Sequence, residues 1–162
     1  MRIDPAAAIS LKAVIQHDLA GVDRLTESLQ SLGPPPLQER DVIAAGYFLH
    51  NLYNALENCF DQISRSFENH VVDLGRWHQE LLHKMFLDLT PLRPAVLPAA
   101  CKPLLDDLRG FRHRFRHSYD YPLDPRKLDD LRQRWLADGE SVRAALRAFA
   151  QELGRAAAAA ER

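Results

Sequence analysis

The chain has 162 residues, of which 46% are hydrophobic, and a formal net charge of −1. This length fits one domain with a proper core, and the composition is typical of a soluble globular protein. The overall charge does not favour nucleic acid binding, so any such contact must be local. The N-terminal residues open no signal peptide, and no apolar run is long enough to span a membrane. Two cysteines, Cys59 and Cys101, lie in apolar helical surroundings, so we expect buried thiols and a cytoplasmic protein.

Apolar residues at helical spacing predict the first three elements of the chain. Asp4-Pro5 is a helix start with proline in the first turn, and the prolines at 34–36 end that helix. A second long helix is predicted from about Gln38 to Phe67. A third, shorter helix is predicted around 75–88.

The second half of the chain predicts two more helices after a proline-rich connection at 90–98, which we expect to run over the surface. The fourth helix is predicted at about 99–120, and Asp124-Pro125 begins the fifth. The core should span about 5–154, and the alanines at 156–160 should fray because they have nothing to bury. No segment alternates like a strand. The prediction is one all-α domain over residues 1–162, an antiparallel bundle of about five helices.

The fourth predicted helix has an apolar face and a cationic face side by side. The apolar face is Leu104, Leu108, Phe111 and Phe115, and the cationic stripe is Arg109, Arg112, His113, Arg116 and His117. Like charges at this spacing each cost about 0.2–0.5 kcal/mol, and no glutamate occurs between 81 and 139. We therefore expect an anion from elsewhere: a carboxylate on another helix, a partner subunit or a phosphate. The alternative is a solvated basic face.

Polar residues on the second predicted helix offer one such carboxylate. His50, Tyr53, Asn54, Glu57 and Asn58 lie near its apolar stripe. One interpretation is an ordinary half-buried helix edge. The other is that Glu57 supplies the counter-charge to Arg112 or Arg116.

The seven histidines do not form a metal-binding pattern. His78 and His83 are five residues apart, whereas a helical zinc pair needs a spacing of four, and there is no Cys-x-x-Cys. Di-iron bundles need two Glu-x-x-His motifs, and this chain has only one, from Glu80 to His83. Fingerprints of nucleotide cofactors are also missing, so we predict neither a metal nor a cofactor.

The cationic helix has the residue types needed to cleave RNA without a metal. A histidine can take the proton of the ribose 2′-hydroxyl, and an arginine can stabilise the charge that develops on the phosphate. On an ideal helix, Arg112 and His117 point about 140° apart. One helix cannot easily bring both to one phosphate, but two copies related by a two-fold axis can.

The sequence Arg112-x4-His117-x-Tyr119 resembles the Arg-x4-His-x-Tyr signature of HEPN domains. More narrowly, the chain resembles HepT-like proteins, ribonuclease toxins whose antitoxin is a minimal nucleotidyltransferase. Residues 49–58 and 77–82 support the resemblance, which covers about 40–150. It implies a HEPN-type bundle that forms a homodimer, with a composite ribonuclease site of Arg112 and His117 at the interface. It also implies that the nucleotidyltransferase silences the toxin by AMPylation of Tyr119.

Arg109, His113, Arg116 and Glu57 are expected to support this site or to bind RNA phosphate. The sequence departs from the family in one position, because many HEPN domains have Asn or Asp directly after the arginine and this chain has His113. Two other functions remain open. The chain can be a non-catalytic helical partner of the nucleotidyltransferase, or a structural bundle whose arginines pair with carboxylates at an interface.

Overall fold

The computed structural model describes residues 1–68, 77–117 and 123–160, with only the backbone of His117 included. These residues form five α-helices: α1 (Pro5–Ser31), α2 (Glu39–Phe67), α3 (Trp77–Lys84), α4 (Lys102–His117) and α5 (Pro125–Ala160). A 3₁₀ turn, Ala99–Cys101, precedes α4. Within the described ranges there is no strand, only an isolated bridge between Leu89 and Arg93. The predicted all-α bundle is therefore confirmed.

Two of the helices begin as the sequence predicts, at an Asp-Pro pair. The Asp4 carboxylate accepts a hydrogen bond from the amide of Ala7 at 3.0 Å. The Asp124 carboxylate accepts from the amides of Arg126 and Lys127 at 3.0 and 3.3 Å. Each carboxylate accepts hydrogen bonds from amides that have no partner within the helix. The first turn also tolerates proline, because an N–H at that position would have no acceptor in the helix.

Helices α1 and α5 pack antiparallel along most of the length of α1. Asp23 pairs with Arg147 at 2.9 Å, and further along α1 the carbonyl of Leu29 accepts a hydrogen bond from Arg132 at 2.9 Å. Residue numbers rise on one helix as they fall on the other, so the two chains run in opposite directions. Arg132, which is 4% exposed, also reaches the carbonyls of Leu32 and Gly33. Its guanidinium thus satisfies carbonyls at the end of α1 that the helix itself leaves unpaired.

Helix α2 is the centre of the core, and α4 packs against one side of it. Leu49, Leu52, Leu56, Phe60 and Ile63 are completely buried in α2. Burial of each such side chain contributes about 1.5–3 kcal/mol relative to exposure.

A close approach at Gly46 fixes how near α4 lies to α2. A Cβ atom at Gly46 would lie 3.0 Å from the ring of Phe115 and 2.9 Å from the side chain of Leu123. The absence of a side chain at Gly46 therefore allows the aromatic end of α4 to contact α2. This contact brings the cationic stripe of α4 beside the polar edge of α2.

The proline-rich connection at 90–98 runs over the surface as predicted for five of its residues, but three of its side chains enter the core. Val96, Leu97 and Arg93 are at most 5% exposed. The Arg93 guanidinium donates to Glu68 at 2.6 Å and to the carbonyls of Lys84 and Leu87. Glu68 neutralises the Arg93 charge, and these acceptors bind most of its donors, so this side chain can be buried beneath a connection that otherwise lies on the surface.

The expectation that the alanines at 156–160 have nothing to bury is wrong. Helix α5 continues through Ala160, and Ala157 is only 4% exposed. The small side chain of Ala157 still faces the bundle, so the segment has apolar surface to bury. Helix α3 ends at Lys84 instead of about 88, and α4 begins at Lys102 instead of about 99. The predicted start of the third helix at 75–76 and the predicted end of the fourth at 118–120 lie outside the described residues. Cys59 and Cys101 are buried free thiols, as expected.

Candidate active site centred on Arg112

Arg112 lies at the centre of a polar cluster formed by α2, α3 and α4. Its Nη2 is 2.8 Å from the Glu57 carboxylate, and its Nε donates to the Asn54 side-chain carbonyl at 2.9 Å. Its Nη1 lies 3.3 Å from Nε2 of His78. The Arg112 side chain is 11% exposed and that of Glu57 is 8% exposed. The expected counter-charge to the cationic stripe is therefore a carboxylate on another helix, and Glu57 pairs with Arg112.

Glu57 holds His78 as well as Arg112. Its Oε1 is 2.7 Å from Nδ1 of His78. Arginine has no acceptor, so the contact between Arg112 and His78 requires a lone pair on Nε2 of the imidazole. The proton of a neutral His78 ring therefore sits on Nδ1 and is donated to the carboxylate. The arrangement fixes both the ring orientation and the tautomer of His78.

Asn54 extends the cluster to a second imidazole. Its side-chain amide donates to Nε2 of His50 at 3.0 Å, and the His50 ring packs on that of Phe115 with 5.0 Å between the centroids. Burial, with the charges of Arg112 and Arg116 adding to it, lowers the pKa of His50. His50 is thus a neutral acceptor that helps to orient Asn54, which in turn holds Arg112.

A pocket of about 470 Å³ opens beside Arg112. This is within the size range of small-molecule binding pockets. It is lined by His50, Asn54, Glu57, Asn58, Asp61, Trp77, Arg112 and Arg116. Two arginines and an indole ring together suit an anion that carries an aromatic group. A guanidinium can donate two parallel hydrogen bonds to one oxyanion, and an aromatic face accepts a stacked base.

The guanidinium of Arg112 retains capacity for a ligand despite its partners. It has five N–H donors, and the contacts with Asn54, Glu57 and His78 use three of them. The other two donors have no partner among the described residues, so they can bind an anion in the pocket. The three partners hold the guanidinium in one orientation, so binding an anion there costs little side-chain entropy.

The structure brings together some of the residues proposed from the sequence and separates others. Glu57 and Arg112 are in contact, and Arg116 is exposed on the same pocket. Arg109 lies 3.7 Å from Asp106, and His113 is exposed; among the described residues that line the pocket, neither of the two appears.

Two residues of the proposed site cannot be placed beside Arg112. His117 is the last residue of α4, and its side chain lies outside what the structure describes. Tyr119 lies wholly outside the described residues.

Sequence reasoning missed His78 and Trp77 as neighbours of Arg112. In the sequence, His78 is a candidate metal ligand that its spacing to His83 argues against, and part of the segment 77–82 that supports the family resemblance; neither feature places it beside Arg112. It lies 34 positions before Arg112, and the contact depends on how the short helix α3 is docked. The available signal was the pair Trp77-His78 at the start of a short amphipathic helix, which does not specify a partner.

Two other features are absent from the described residues. Among them, no group of three or more His, Cys, Asp or Glu side chains is arranged to hold a metal ion. None of their helices is long and apolar enough to cross a membrane.

The helices and the pocket together define an all-α bundle of the HEPN type with an arginine-centred polar site. A family model described as HepT-like protein matches residues 44–153. This is more than half of the chain, and the protein belongs to the HepT-like family. Glu57, His78 and Arg112 all lie within the matched segment. No curated protein and no solved structure matches the chain.

Proposed function

We propose that this HepT-like protein is a metal-independent endoribonuclease, the cytoplasmic toxin of a toxin–antitoxin pair whose antitoxin is a nucleotidyltransferase. The observation that carries the proposal is the Arg112 guanidinium, which Asn54, Glu57 and His78 hold in place on a pocket of about 470 Å³. Arg116, on the same pocket, adds a second cation that can contact the phosphate backbone of RNA. Family membership supports the same activity.

The proposed reaction is an attack by the ribose 2′-hydroxyl on the adjacent phosphate. Arg112 stabilises the charge that builds up on the phosphate oxygens, and His117 transfers a proton. On an ideal helix, residues 112 and 117 point about 140° apart, so the composite site is proposed to form in a homodimer, where one protomer supplies Arg112 and its partner supplies the histidine. The products should carry 2′,3′-cyclic phosphate or 3′-phosphate ends.

The test is cleavage of RNA by the purified protein in the presence of EDTA. Arg112→Lys should keep the charge in the cluster but lose the planar fork of donors, and the rate should fall by at least about 100-fold. His117→Ala should be comparably inactive. Arg114→Ala is the matched control, because Arg114 is an exposed arginine on the same helix. If Arg114→Ala abolishes cleavage while Arg112→Lys leaves it intact, the site is wrongly placed.

Control of the toxin is proposed to act through Tyr119. An AMP group on its hydroxyl would bring a phosphate to Arg112 or Arg116 and occupy the position of the RNA phosphate. Intact-mass spectrometry after co-expression with the partner nucleotidyltransferase should detect AMP adducts on the wild type. Tyr119→Phe should lack them and stay toxic, whereas Tyr121→Phe should behave as the wild type. Adducts that persist in Tyr119→Phe would exclude Tyr119 as the acceptor.

One observation favours a second function, that of a non-catalytic helical partner of the nucleotidyltransferase. Glu57 neutralises Arg112 within the protein, so the guanidinium does not need a phosphate for charge balance. In this case the purified protein would form a complex with the nucleotidyltransferase and would leave RNA intact in EDTA. The cleavage assay therefore separates the two functions.

A further inference from the structure

The imidazole of His78 has the geometry of a general base, and it lies next to the cation that would hold the phosphate. We propose that His78 is a further catalytic residue, which takes the proton of the 2′-hydroxyl through Nε2 while Glu57 orients the ring. This inference rests on the proposed ribonuclease function. It assigns a chemical role to a residue outside the Arg112-x4-His117 pattern.

The contacts of His78 leave the correct nitrogen available. Nδ1 donates its proton to Glu57 at 2.7 Å, which places the lone pair on Nε2. This nitrogen lies 3.3 Å from Nη1 of Arg112, a weak hydrogen bond that a substrate hydroxyl can replace. The His78 side chain is 38% exposed, and both of its partners, Glu57 and Arg112, line the pocket, so a substrate bound to Arg112 can reach the imidazole. A carboxylate that orients an imidazole in this way also stabilises the cation formed when the ring takes a proton.

The base and the phosphate-binding cation belong to the same subunit in this arrangement. Arg112 from α4 and Glu57 from α2 contact the His78 ring, and His50, Asp61 and Arg116 are the other ionisable groups lining the pocket. Asp61 is engaged by Arg65 at 2.7 Å. His50 has its Nε2 occupied by Asn54. The Nε2 of His78, by contrast, lies next to Nη1 of Arg112, a residue that lines the pocket.

The proposed step transfers one proton to His78 and another to the leaving group. The 2′-hydroxyl proton moves to Nε2 of His78 as the 2′-oxygen forms a bond to phosphorus. The bond between phosphorus and the 5′-oxygen breaks, and the 5′-oxygen takes a proton from a second acid, which the proposed function assigns to His117. The products are a 2′,3′-cyclic phosphate and a 5′-hydroxyl. His78 returns its proton to water, so no oxidant, reductant or metal is required.

The experiment compares His78→Gln and His78→Ala with matched substitutions of His83, an exposed histidine on the same helix. Cleavage of a short RNA is measured in EDTA with the full-length protein. Glutamine can still accept a hydrogen bond from Arg112, so His78→Gln tests proton transfer rather than packing. We expect its rate to fall at least about 100-fold, with His83→Gln unchanged. Added imidazole should raise the cleavage rate of His78→Ala at least about tenfold.

A substrate with sulfur in place of the bridging 5′-oxygen identifies which proton His78 moves. Sulfur leaves without protonation, so a variant lacking the general acid would cleave this RNA at nearly the wild-type rate. His78→Gln should remain slow on it, because the missing group is the base. Recovery of the wild-type rate on this substrate would overturn the assignment as base.

The remaining outcomes are also decisive. A wild-type rate for His78→Gln on ordinary RNA would overturn the inference and leave the proposed ribonuclease standing. Loss of activity in both variants without rescue by imidazole would reduce His78 to a residue that positions Arg112. A wild-type protein that does not cleave RNA in EDTA would refute the proposed function and this inference with it.

Discussion

Removal of the Glu57 carboxylate tests whether the polar cluster exists as described. Glu57→Ala would delete the contacts to Arg112 at 2.8 Å and to His78 at 2.7 Å. Loss of one partner from a fully buried ion pair costs about 3–5 kcal/mol. Arg112 is 11% exposed and keeps Asn54 as an acceptor, so we expect a loss near the lower end, about 3 kcal/mol. For a chain of this length, that corresponds to a fall in the midpoint of thermal unfolding of about 6–12 °C.

A double-mutant cycle isolates the contribution of the pair from that of the packing. The free energy of unfolding is measured by urea denaturation for the wild type, Glu57→Ala, Arg112→Ala and the double variant. Once one partner is gone, removing the other costs less, so the two losses should fall short of additivity by at least about 1 kcal/mol. Lys102→Gln is the control, because its pair with Asp106 at 2.7 Å is 47% and 35% exposed. It should cost less than about 1 kcal/mol.

Additive losses would refute the reasoning. If the two single substitutions sum to the double within about 0.5 kcal/mol, Glu57 and Arg112 do not form the pair in solution. The pocket would then have a different charge arrangement, and the role assigned to Glu57 as the orienting group would fail.

Two further substitutions test the packing and the pH dependence of stability. Gly46→Ala should destabilise the bundle by about 1–3 kcal/mol through overpacking. Gly21→Ala is its control: the added Cβ would lie 3.8 Å from its nearest neighbour, so this substitution should stabilise the bundle by up to about 1 kcal/mol. Urea denaturation measures both, and equal effects would contradict the close approach at Gly46. Burial opposes ionisation of Glu68, but hydrogen bonds from Lys84 and Arg93 outweigh it and lower the pKa below its ordinary value. The stability contributed by Glu68 is therefore complete above that ordinary value, about 4.3, and is lost as pH falls towards the folded pKa; Glu68→Gln should flatten this acid limb, and an unchanged limb would exclude Glu68 as its cause.

The helical elements could be predicted from the sequence because local signals agree with the final packing. Asp4 and Asp124 cap helices where the sequence indicates, and the apolar stripe of α2 is buried as its spacing predicts. Arg93 shows where such signals fail. Nothing near residue 93 specifies a carboxylate 25 positions earlier. From the sequence, an arginine among prolines is therefore predicted to lie on the surface, and its pairing with Glu68 depends on the folded structure.

Part of the candidate site could likewise be predicted from the sequence, and part could not. The pairing of Glu57 with the cationic stripe could be proposed because the stripe needs an anion and α2 has a glutamate at its polar edge. The choice of Arg112 over Arg116 depends on the approach of α4 to α2 at Gly46, which spacing along one helix does not specify. The role of His78 depends on the docking of α3 and could not be inferred from its own neighbourhood.

Helix α1 shows that the part of the chain matched by the family model is smaller than the part that folds together. The match begins at residue 44, but Arg132 on α5 donates three of its hydrogen bonds to carbonyls at 29, 32 and 33. The indole of Trp135, 1% exposed, donates to Thr26 at 2.9 Å. A fragment restricted to 44–153 would expose Trp135 and Arg132 and remove their α1 acceptors, leaving Arg132 with Asp129 at 2.9 Å. The boundaries of homology are therefore unsuitable as expression boundaries for this protein, and dissection should retain α1 as an integral part of the core.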